Sequence, residues 1–305
     1  VKGRDLVGLR FGGPFDGQLP AVDEAVLAHR VIPWEEVGEA EGTGIVHIAP
    51  GCGEEDFALS KVHDLPVLVP IDDMARYRAG YGWLEGKDAR DVSGEIAADL
   101  ERRGLLLRSE PYTHRYPECW RCHEELVFRV ADEWFISMAE LRPKMVEAAR
   151  KVRWVPEHAG RRMENWLQNM GDWNISRKRY WGVPLPFYTC ANGHLFVVGS
   201  EDELRKLATS GLDQLRELHR PWIDRVVVGC PQDGTDSVRV KEVGDTWLDA
   251  GVVPFSTLDF QHDRKRWETW FPADYVVEMV EQVRLWFYSL LFFSVVLTEK
   301  PPYRV

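Results

Sequence analysis

A histidine and an aspartate early in the chain are the first residues that could act together on a substrate. His47 lies near the end of a short apolar run, residues 44–48, and Asp56 is the last of three consecutive carboxylates after Gly53. Glycine allows the backbone to approach a ligand closely, and carboxylates are favourable in the first turn of a helix. The pattern predicts a strand, a turn and a helix. A ligand site at the turn is one interpretation, and a core histidine beside an acidic helix start is the other.

The five cysteines form a second group with chemical potential. Their odd number, with one Cys-x-x-Cys pair, indicates reduced thiols or metal ligands and not a disulfide framework. A structural zinc site needs four ligands, so that pair alone is half a site. Two later cysteines each have a histidine or an aspartate nearby. These four residues could form a separate four-ligand site, although aspartate is a weaker zinc ligand beside thiolates. The candidate ligands are Cys119, Cys122, Cys190, His194, Cys230 and Asp233.

Three consecutive bases stand in an aromatic-rich stretch, residues 171–186. Arg177, Lys178 and Arg179 lie between Trp173 and Trp181. Adjacent cations repel and are costly to bury, so they are expected at an anionic partner or in solvent. The stretch is therefore either a binding site for an anion such as nucleic acid or a solvated basic turn over an aromatic core.

Length and charge limit the classes of protein that the chain can belong to. At 305 residues it can hold two domains, and 45% hydrophobic residues allow a large core. A net charge of −11 argues against a protein that coats nucleic acid, although a local basic groove would still bind phosphates. The longest apolar run, residues 285–297, contains two serines and is too short to span a bilayer, so it predicts a buried helix.

Periodicity predicts short strands and a few helices in the first part of the chain, which favours a compact, mostly β, mixed domain. The predicted strands there cover residues 27–32, 44–48 and 67–71, and the predicted helices cover residues 54–63 and 93–104. Later in the chain the strands cover residues 133–136 and 275–278, and the helices cover residues 141–152, 161–170, 200–218 (polar) and 285–297.

The aromatic-rich stretch also resembles a family block. Its Asp-Trp-Asn-Ile-Ser-Arg-Lys-Arg-Tyr-Trp-Gly is similar to the Asp-Trp-Cys-Ile-Ser-Arg-Gln-Arg-Tyr-Trp-Gly of the class I aminoacyl-tRNA synthetases for branched aliphatic amino acids. Asn174 replaces the usual Cys and Lys178 the usual Gln. In that family the block marks where the chain returns from a long insertion to the catalytic nucleotide-binding fold. The resemblance implies tRNA contacts for Arg177, Lys178 and Arg179.

Residues 42–56 resemble the editing pocket of the isoleucyl-tRNA synthetases, reading Gly-Thr-Gly-x-Val-His-x-Ala-Pro-Gly-x-Gly-x-x-Asp. His47 favours this branch, since the valyl and leucyl relatives do not usually have histidine there. By resemblance, Asp56 holds the α-ammonium of a misattached amino acid, and His47 lies against its ester, ribose or side chain. Thr43 is the one threonine of this segment and is assigned to the same pocket. The family's threonine-rich strand is not found in this sequence.

The second half of the chain resembles the family's aminoacylation site. Asp-Thr-Trp-Leu-Asp-Ala-Gly at residues 245–251 is similar to a pocket-lining block, and residues 275–287 are similar to one that contacts the aminoacyl-adenylate. Met279, Glu281 and Leu285 depart from that second block. The residues implied by resemblance to bind substrate are Trp247, Asp249, Glu278, Glu281 and Gln282. Two cysteine segments between these blocks, around residues 190 and 230, resemble a zinc ribbon in which one cysteine of each pair is lost. The alternatives are a zinc site completed by His194 and Asp233 and an eroded ribbon that binds no metal.

The resemblance gives the expected organisation of the chain as α/β. A mostly-β mixed editing domain would cover residues 1–117 and a connection residues 118–170. The second half of a Rossmann-like catalytic domain would cover residues 171–305, with a ribbon insertion at about 188–240. Both family ATP signatures are absent and the chain opens on Val1, so we expect an internal fragment.

The parent would attach isoleucine to tRNA(Ile) with ATP and hydrolyse misattached valine, as a cytoplasmic monomer without membrane contact. The alternatives are a valyl-type synthetase fragment, a non-catalytic tRNA-binding module that also uses Arg161 and Arg162, and a zinc-ribbon structural protein.

Overall fold

The computed structural model describes residues 1–17, 29–38 and 43–305. The chain divides into two compact units, Val1–Asp132 and Glu133–Val305. The first two residues of the strand predicted over 27–32, and Gly42 of the editing-type segment, lie outside the described residues. The predicted domain boundaries at residues 117 and 170 stay predictions.

Two α-helices organise the first unit, and both follow the predicted patterns. Helix α1 (Glu54–His63) begins after Gly53 and ends at Asp64, which adopts the left-handed conformation. Helix α2 (Ser93–Arg102) ends two residues earlier than predicted. Gly104 there has a φ of +67°, a conformation that glycine adopts without strain and that commonly terminates helices.

The prediction of regular strands over residues 44–48 and 67–71 is wrong. In the described part of this unit, β pairing consists of isolated bridges such as Ile71–Tyr77 and Arg76–Asp88. Ile45 and Val46 are 66% and 49% exposed, so this extended run lacks the neighbours that a ladder requires. The mixed α/β class is confirmed for the chain, but the mostly-β character expected of the first unit is not found in its described residues.

The second unit packs its helices around one apolar core. Fully buried side chains include Met145, Met163, Leu167 and Leu291. The helices are α3 (Leu141–Arg150), α4 (Glu157–Asn169), α5 (Glu201–Leu207), α6 (Thr246–Ser256), α7 (Arg264–Trp270) and α8 (Trp286–Thr298). The predicted buried helix at residues 285–297 is confirmed as α8.

Nine short strands of the second unit form three antiparallel sheets. Their bounds are β1 (Phe135–Ile136), β2 (Trp173–Asn174), β3 (Ser176–Arg177), β4 (Phe187–Cys190), β5 (Leu195–Val197), β6 (Ala208–Ser210), β7 (Val227–Gly229), β8 (Asp236–Arg239) and β9 (Val243–Gly244). β1 pairs with β2 and β3 with β9, while the five-stranded sheet has the order β5-β4-β8-β7-β6. The pair β3–β9 brings the basic stretch beside the start of α6.

Three predicted elements of this unit are corrected. Helix α4 begins at Glu157, four residues earlier than predicted, because Pro156 is its N-cap. The polar segment 200–218 is α-helical only over α5, after which the chain enters β6, a left-handed turn at Gly211 and a short 3₁₀ helix. The strand predicted over residues 275–278 is extended backbone without a ladder, near a parallel bridge between Ala273 and Tyr303.

One segment of the described chain, Val280–Thr298, is long and apolar enough to cross a membrane, with a mean hydropathy of 1.4. Half of that window is buried inside the second unit. Its core side chains include Phe287, Leu291 and Val295, and Tyr303 donates from its hydroxyl to the Phe287 carbonyl. The segment is therefore packed as a core helix.

Candidate functional site

The loop that leads into α1 is tied down by Asp56. Its Oδ2 accepts a hydrogen bond of 3.1 Å from the backbone N–H of Ala49, and the side chain is half-buried. This bond lies at the first turn of α1, where the helix dipole also favours a carboxylate. A Cβ on Gly53 would come within 2.7 Å of Asp56 Oδ2, so glycine leaves room for the carboxylate.

His47 and Thr43 lie on the exposed side of this loop. The Thr43 hydroxyl is 3.3 Å from both the N–H and the carbonyl of Ile45, which is a local turn and not a shared pocket contact. His47 is exposed, and in the described residues no hydrogen bond fixes its ring. Asp56 is therefore the anchored member of the predicted editing residues, and the roles of all three stay predictions.

Arg177 is held by buried acidic and carbonyl groups of its own unit. Its Nη2 donates to Asp245 Oδ2 at 2.6 Å, and its Nη1 donates to the carbonyls of Ser176 and Asn174 at 2.7 and 3.2 Å. Asp245 is 5% exposed and caps α6, accepting from the Trp247 N–H at 3.1 Å. Arg177 therefore serves as the counter-ion of a buried helix cap, and only its exposed third remains for another partner.

The two other bases of the stretch are more accessible. Lys178 Nζ lies 3.8 Å from Glu133 Oε1, and Arg179 is exposed. Next to them, the exposed Trp181 ring stacks on His219 with centroids 4.8 Å apart and a 6° angle between planes. The charge of Arg220 lies 4.9 Å from the Tyr180 ring centroid. Cations and aromatic faces together form a surface suited to nucleic acid, with Arg179 and the weakly paired Lys178 as its accessible bases.

The predicted aminoacylation residues divide into packed and exposed groups. Trp247 packs against the core at the start of α6, and Gln282 Oε1 accepts from the N–H of Trp286, the first residue of α8, at 3.1 Å. The pKa of Asp249 is raised above its usual value, because the effect of partial burial exceeds the opposing effect of His219. Glu278 and Glu281 are exposed, and neither forms an ion pair or a side-chain hydrogen bond with another described residue.

Four predicted metal ligands are brought together by two hairpin turns. Cys190 ends β4 and Cys230 follows β7, and the turns after them supply His194 and Asp233. The four donor atoms all lie within 4.8 Å of one another. Tetrahedral zinc bound to thiolate and imidazole separates its ligand atoms by roughly 3.5–4 Å, so this donor set fits the ion with a small contraction.

Two of the four donors ionise readily and one does not, since burial raises the pKa of the Cys230 thiol. Burial raises the pKa of the Cys190 thiol, but hydrogen bonds from Thr235 and from the backbone N–H groups of His194 and Asn192 outweigh it and lower that pKa to about 7. Hydrogen bonds from Asn192 and Thr235 hold the pKa of Asp233 well below its usual range. His194 Nδ1 lies 3.1 Å from Asp233 Oδ2 and 3.5 Å from Cys230 Sγ.

Cys119 and Cys122 form a separate turn in the first unit. Backbone N–H groups of Cys122 and Arg121 lower the pKa of Cys119. Within the described ranges, no third histidine, cysteine or carboxylate joins this pair. It remains the half-site that the sequence indicated.

Two contacts beside the candidate site residues of the second unit escaped the sequence analysis. Trp286 Nε1 donates to the Ala250 carbonyl at 2.9 Å and so joins α8 to α6 beside Trp247. His219 meets Trp181 although 38 residues separate them in the sequence. Neither contact leaves a local sequence signal, whereas Asp245 could have been recognised as a helix N-cap before an apolar run.

The family profile described as tRNA synthetases class I (I, L, M and V) matches residues 33–305. The chain belongs to this family. Isoleucine–tRNA ligases are among its most similar relatives: those of Methanothermobacter thermautotrophicus and Sulfolobus acidocaldarius are each 40% identical over 306 and 304 residues, and that of Pyrobaculum aerophilum is 41% identical over 306 residues.

These alignments cover 99–100% of the chain but only 29–31% of the relatives' own length. Among solved structures, the ternary complex of Agrobacterium radiobacter K84 agnB2 LeuRS with tRNA and LeuAMS matches with a TM-score of 0.31 at 23% identity. That match covers 44% of this chain and 19% of the other. A likeness of this size carries no argument about the site.

Proposed function

We propose that the chain is part of an isoleucine–tRNA ligase and that its first unit contributes to hydrolytic editing. The observation that carries the ligase assignment is identity of about 40% along the whole chain to three isoleucine–tRNA ligases. The complete protein would attach isoleucine to tRNA(Ile) with ATP. Its partners would be that tRNA, isoleucine and ATP, with valine as the competing amino acid.

Editing is needed because a binding pocket discriminates poorly between similar amino acids, and isoleucyl-tRNA synthetase is itself the standard example. A pocket for isoleucine excludes valine by only about 1–3 kcal/mol, since the two differ by one methylene group. A second site that hydrolyses the valyl ester supplies the remaining discrimination. A water positioned at the ester would attack, with the protein fixing the substrate and not forming a covalent intermediate.

Asp56 supports this proposal by its fixed position. Because Oδ2 accepts from the Ala49 N–H, the carboxylate is oriented before a ligand arrives. In the described residues Oδ1 has no donor, so it is available to the α-ammonium of an attached amino acid. Such a charge-assisted hydrogen bond contributes about 1.5–3 kcal/mol. The exposed His47 would then lie against the ester or ribose.

The Asp56→Ala variant is expected to hydrolyse Val-tRNA(Ile) about ten- to a hundredfold more slowly than the unchanged chain, because the ammonium loses its partner. The rate is measured by release of labelled valine. Ile-tRNA(Ile) is measured beside it and should not be hydrolysed. Glu55→Ala is the matched control, since it removes a neighbouring exposed carboxylate from the same helical turn. Equal hydrolysis by both variants, or none by the unchanged chain, contradicts a role of this unit in editing.

We further propose a structural zinc ion held by Cys190, His194, Cys230 and Asp233. Zinc would cross-link the β4–β5 and β7–β8 turns, which are otherwise joined through the β4–β8 pairing. The residues fit the ion in type and spacing, as two thiolates, an imidazole and a carboxylate within 4.8 Å.

Purified chain is expected to retain about one zinc per molecule after dialysis, and Cys230→Ser is expected to lower this below a tenth. Elemental analysis by mass spectrometry gives the ratio. Cys52→Ser is the matched control, because Cys52 is exposed and lies outside the cluster. Zinc content that survives Cys230→Ser but falls with Cys119→Ser would place the metal at the other pair and contradict this assignment.

A further inference from the structure

We propose that a cleft in the first unit binds an unpaired RNA nucleotide by stacking its base on the exposed ring of Tyr112, which His114 and Tyr116 support. These three residues are called the aromatic ladder below. The inference rests on the proposed function, since the RNA would be the single-stranded end of the tRNA that this unit edits. It adds a binding site away from His47 and Asp56.

The ladder follows from the spacing of its residues. In an extended chain, side chains at alternate positions point to the same side and repeat about every 6.6–7 Å. The ring centroids of Tyr112 and His114 are 5.6 Å apart with a 23° angle, and those of His114 and Tyr116 are 5.8 Å apart and nearly perpendicular. Tyr112 therefore stacks on His114, which in turn meets Tyr116 edge-on, and the outer face of Tyr112 is the one left for a base.

This surface borders a cleft of about 490 Å³, which is within the range of ligand pockets. Tyr112 is 81% exposed, so most of its ring is free to contact a ligand. The other two rings are fixed: Tyr116 donates from its hydroxyl to the Leu126 carbonyl at 3.0 Å, and His114 Nδ1 lies 3.1 Å from the Arg115 carbonyl. Because His114 and Tyr116 are fixed, they hold the Tyr112 ring that stacks on them, so little entropy is lost when a base stacks on its outer face.

The polar groups of the cleft favour bases over phosphates. Arg90 lines the cleft, but its Nε and Nη2 donate to the two oxygens of Asp88 at 2.8 and 2.5 Å. This ion pair holds the pKa of Asp88 well below its usual range and neutralises the guanidinium. Ser93 and Glu125 also line the cleft and can pair with the edges and amino groups of bases.

The charge distribution gives the inference a specific signature. Binding to single strands that depends on phosphate contacts weakens with salt in proportion to the number of contacts, with a slope of about −0.7 per phosphate. Stacking does not release counterions. With Arg90 neutralised, the logarithm of the association constant should fall by less than about one per tenfold increase in salt.

The test measures fluorescence anisotropy of the 305-residue chain with a labelled eight-nucleotide single-stranded RNA ending in CCA. Tyr112→Ala is expected to weaken binding about five- to a hundredfold, the range for loss of one base–aromatic stack. Tyr112→Phe keeps the ring and should bind as the unchanged chain does. Trp83→Ala is the matched control, since Trp83 is a partly exposed aromatic of the same unit that does not line the cleft.

Equal binding by Tyr112→Ala and the unchanged chain overturns the inference, as does equal binding of a duplex RNA of the same length. A steep salt slope that Tyr112→Ala leaves unchanged overturns it too, because binding would then be to phosphates elsewhere. Preference for an aromatic-rich peptide over the RNA assigns the cleft to a protein partner and also overturns it.

The inference and the editing proposal fail separately. Asp56→Ala should bind the single-stranded RNA normally while losing valine release. Loss of ladder-dependent RNA binding with intact Asp56-dependent hydrolysis refutes the cleft alone. Ladder-dependent binding without hydrolysis supports the cleft and refutes editing by this unit.

Discussion

Replacing Asp224 with alanine is expected to destabilise the second unit by about 3–5 kcal/mol, because it leaves the Arg239 guanidinium without its counter-ion. The Arg239 side chain is 1% exposed. Its Nε donates to Asp224 Oδ1 at 2.9 Å, and its Nη1 donates to the carbonyls of Leu185 and Glu242 at 3.1 and 2.9 Å. Carbonyls satisfy the N–H groups but do not neutralise the charge.

The position of Arg239 makes this effect larger than that of an ordinary ion pair. Arg239 ends β8, in the centre of the five-stranded sheet, and its carbonyl contacts reach the segments that precede β4 and β9. Asp224 also accepts from Arg220 Nε at 2.8 Å, so one carboxylate serves two guanidinium groups. Loss of Asp224 should therefore loosen the attachment of the sheet to the rest of its unit.

Urea unfolding followed by circular dichroism measures this change, with Asp213→Ala as the matched control. Asp213 is an exposed aspartate between β6 and β7, and its loss should change stability by less than about 0.5 kcal/mol. A double variant, Asp224→Leu with Arg239→Met, should recover most of the stability, since it removes both buried charges. An Asp224→Ala chain as stable as the control would show that Arg239 remains solvated and that the pair contributes little.

Local patterns predicted the elements whose sequence contains their own start and stop signals. α1 was predicted correctly because its three carboxylates follow Gly53, and α8 because a long apolar run can be satisfied only by burial. The run at residues 44–48 has the same apolar character as a strand, yet a strand exists only when a neighbour pairs with it. That neighbour is a long-range property, and the sequence of the run does not contain it.

The same distinction applies to the candidate sites. Cysteines have few roles, and the resemblance to a zinc ribbon pointed to the four residues that the structure brings within 4.8 Å. Arginines have many roles, and the sequence could not separate Arg177 from Arg179. The separation depends on Asp245, which lies 68 residues further along the chain and reaches Arg177 through the β3–β9 pairing.

Replacing Arg177 with alanine is expected to destabilise the second unit by about 3 kcal/mol, the lower end for a broken buried pair, because a third of the Arg177 side chain is exposed. Asp245 would remain buried with the α6 N-terminus as its main partner. Arg177→Lys should lose about half as much, since an ammonium keeps the charge but cannot donate to Asp245 and the Ser176 carbonyl in a planar fork.

Arg179→Ala is the matched control, because Arg179 belongs to the same basic stretch and is exposed. It should leave the urea midpoint unchanged and weaken tRNA binding, whereas Arg177→Ala should lower the midpoint. The two measurements together separate a residue that holds the fold from one that meets the RNA. If Arg177→Ala weakened tRNA binding at unchanged stability, Arg177 would be an RNA contact, and the buried Asp245 would have to be neutralised by the helix cap alone.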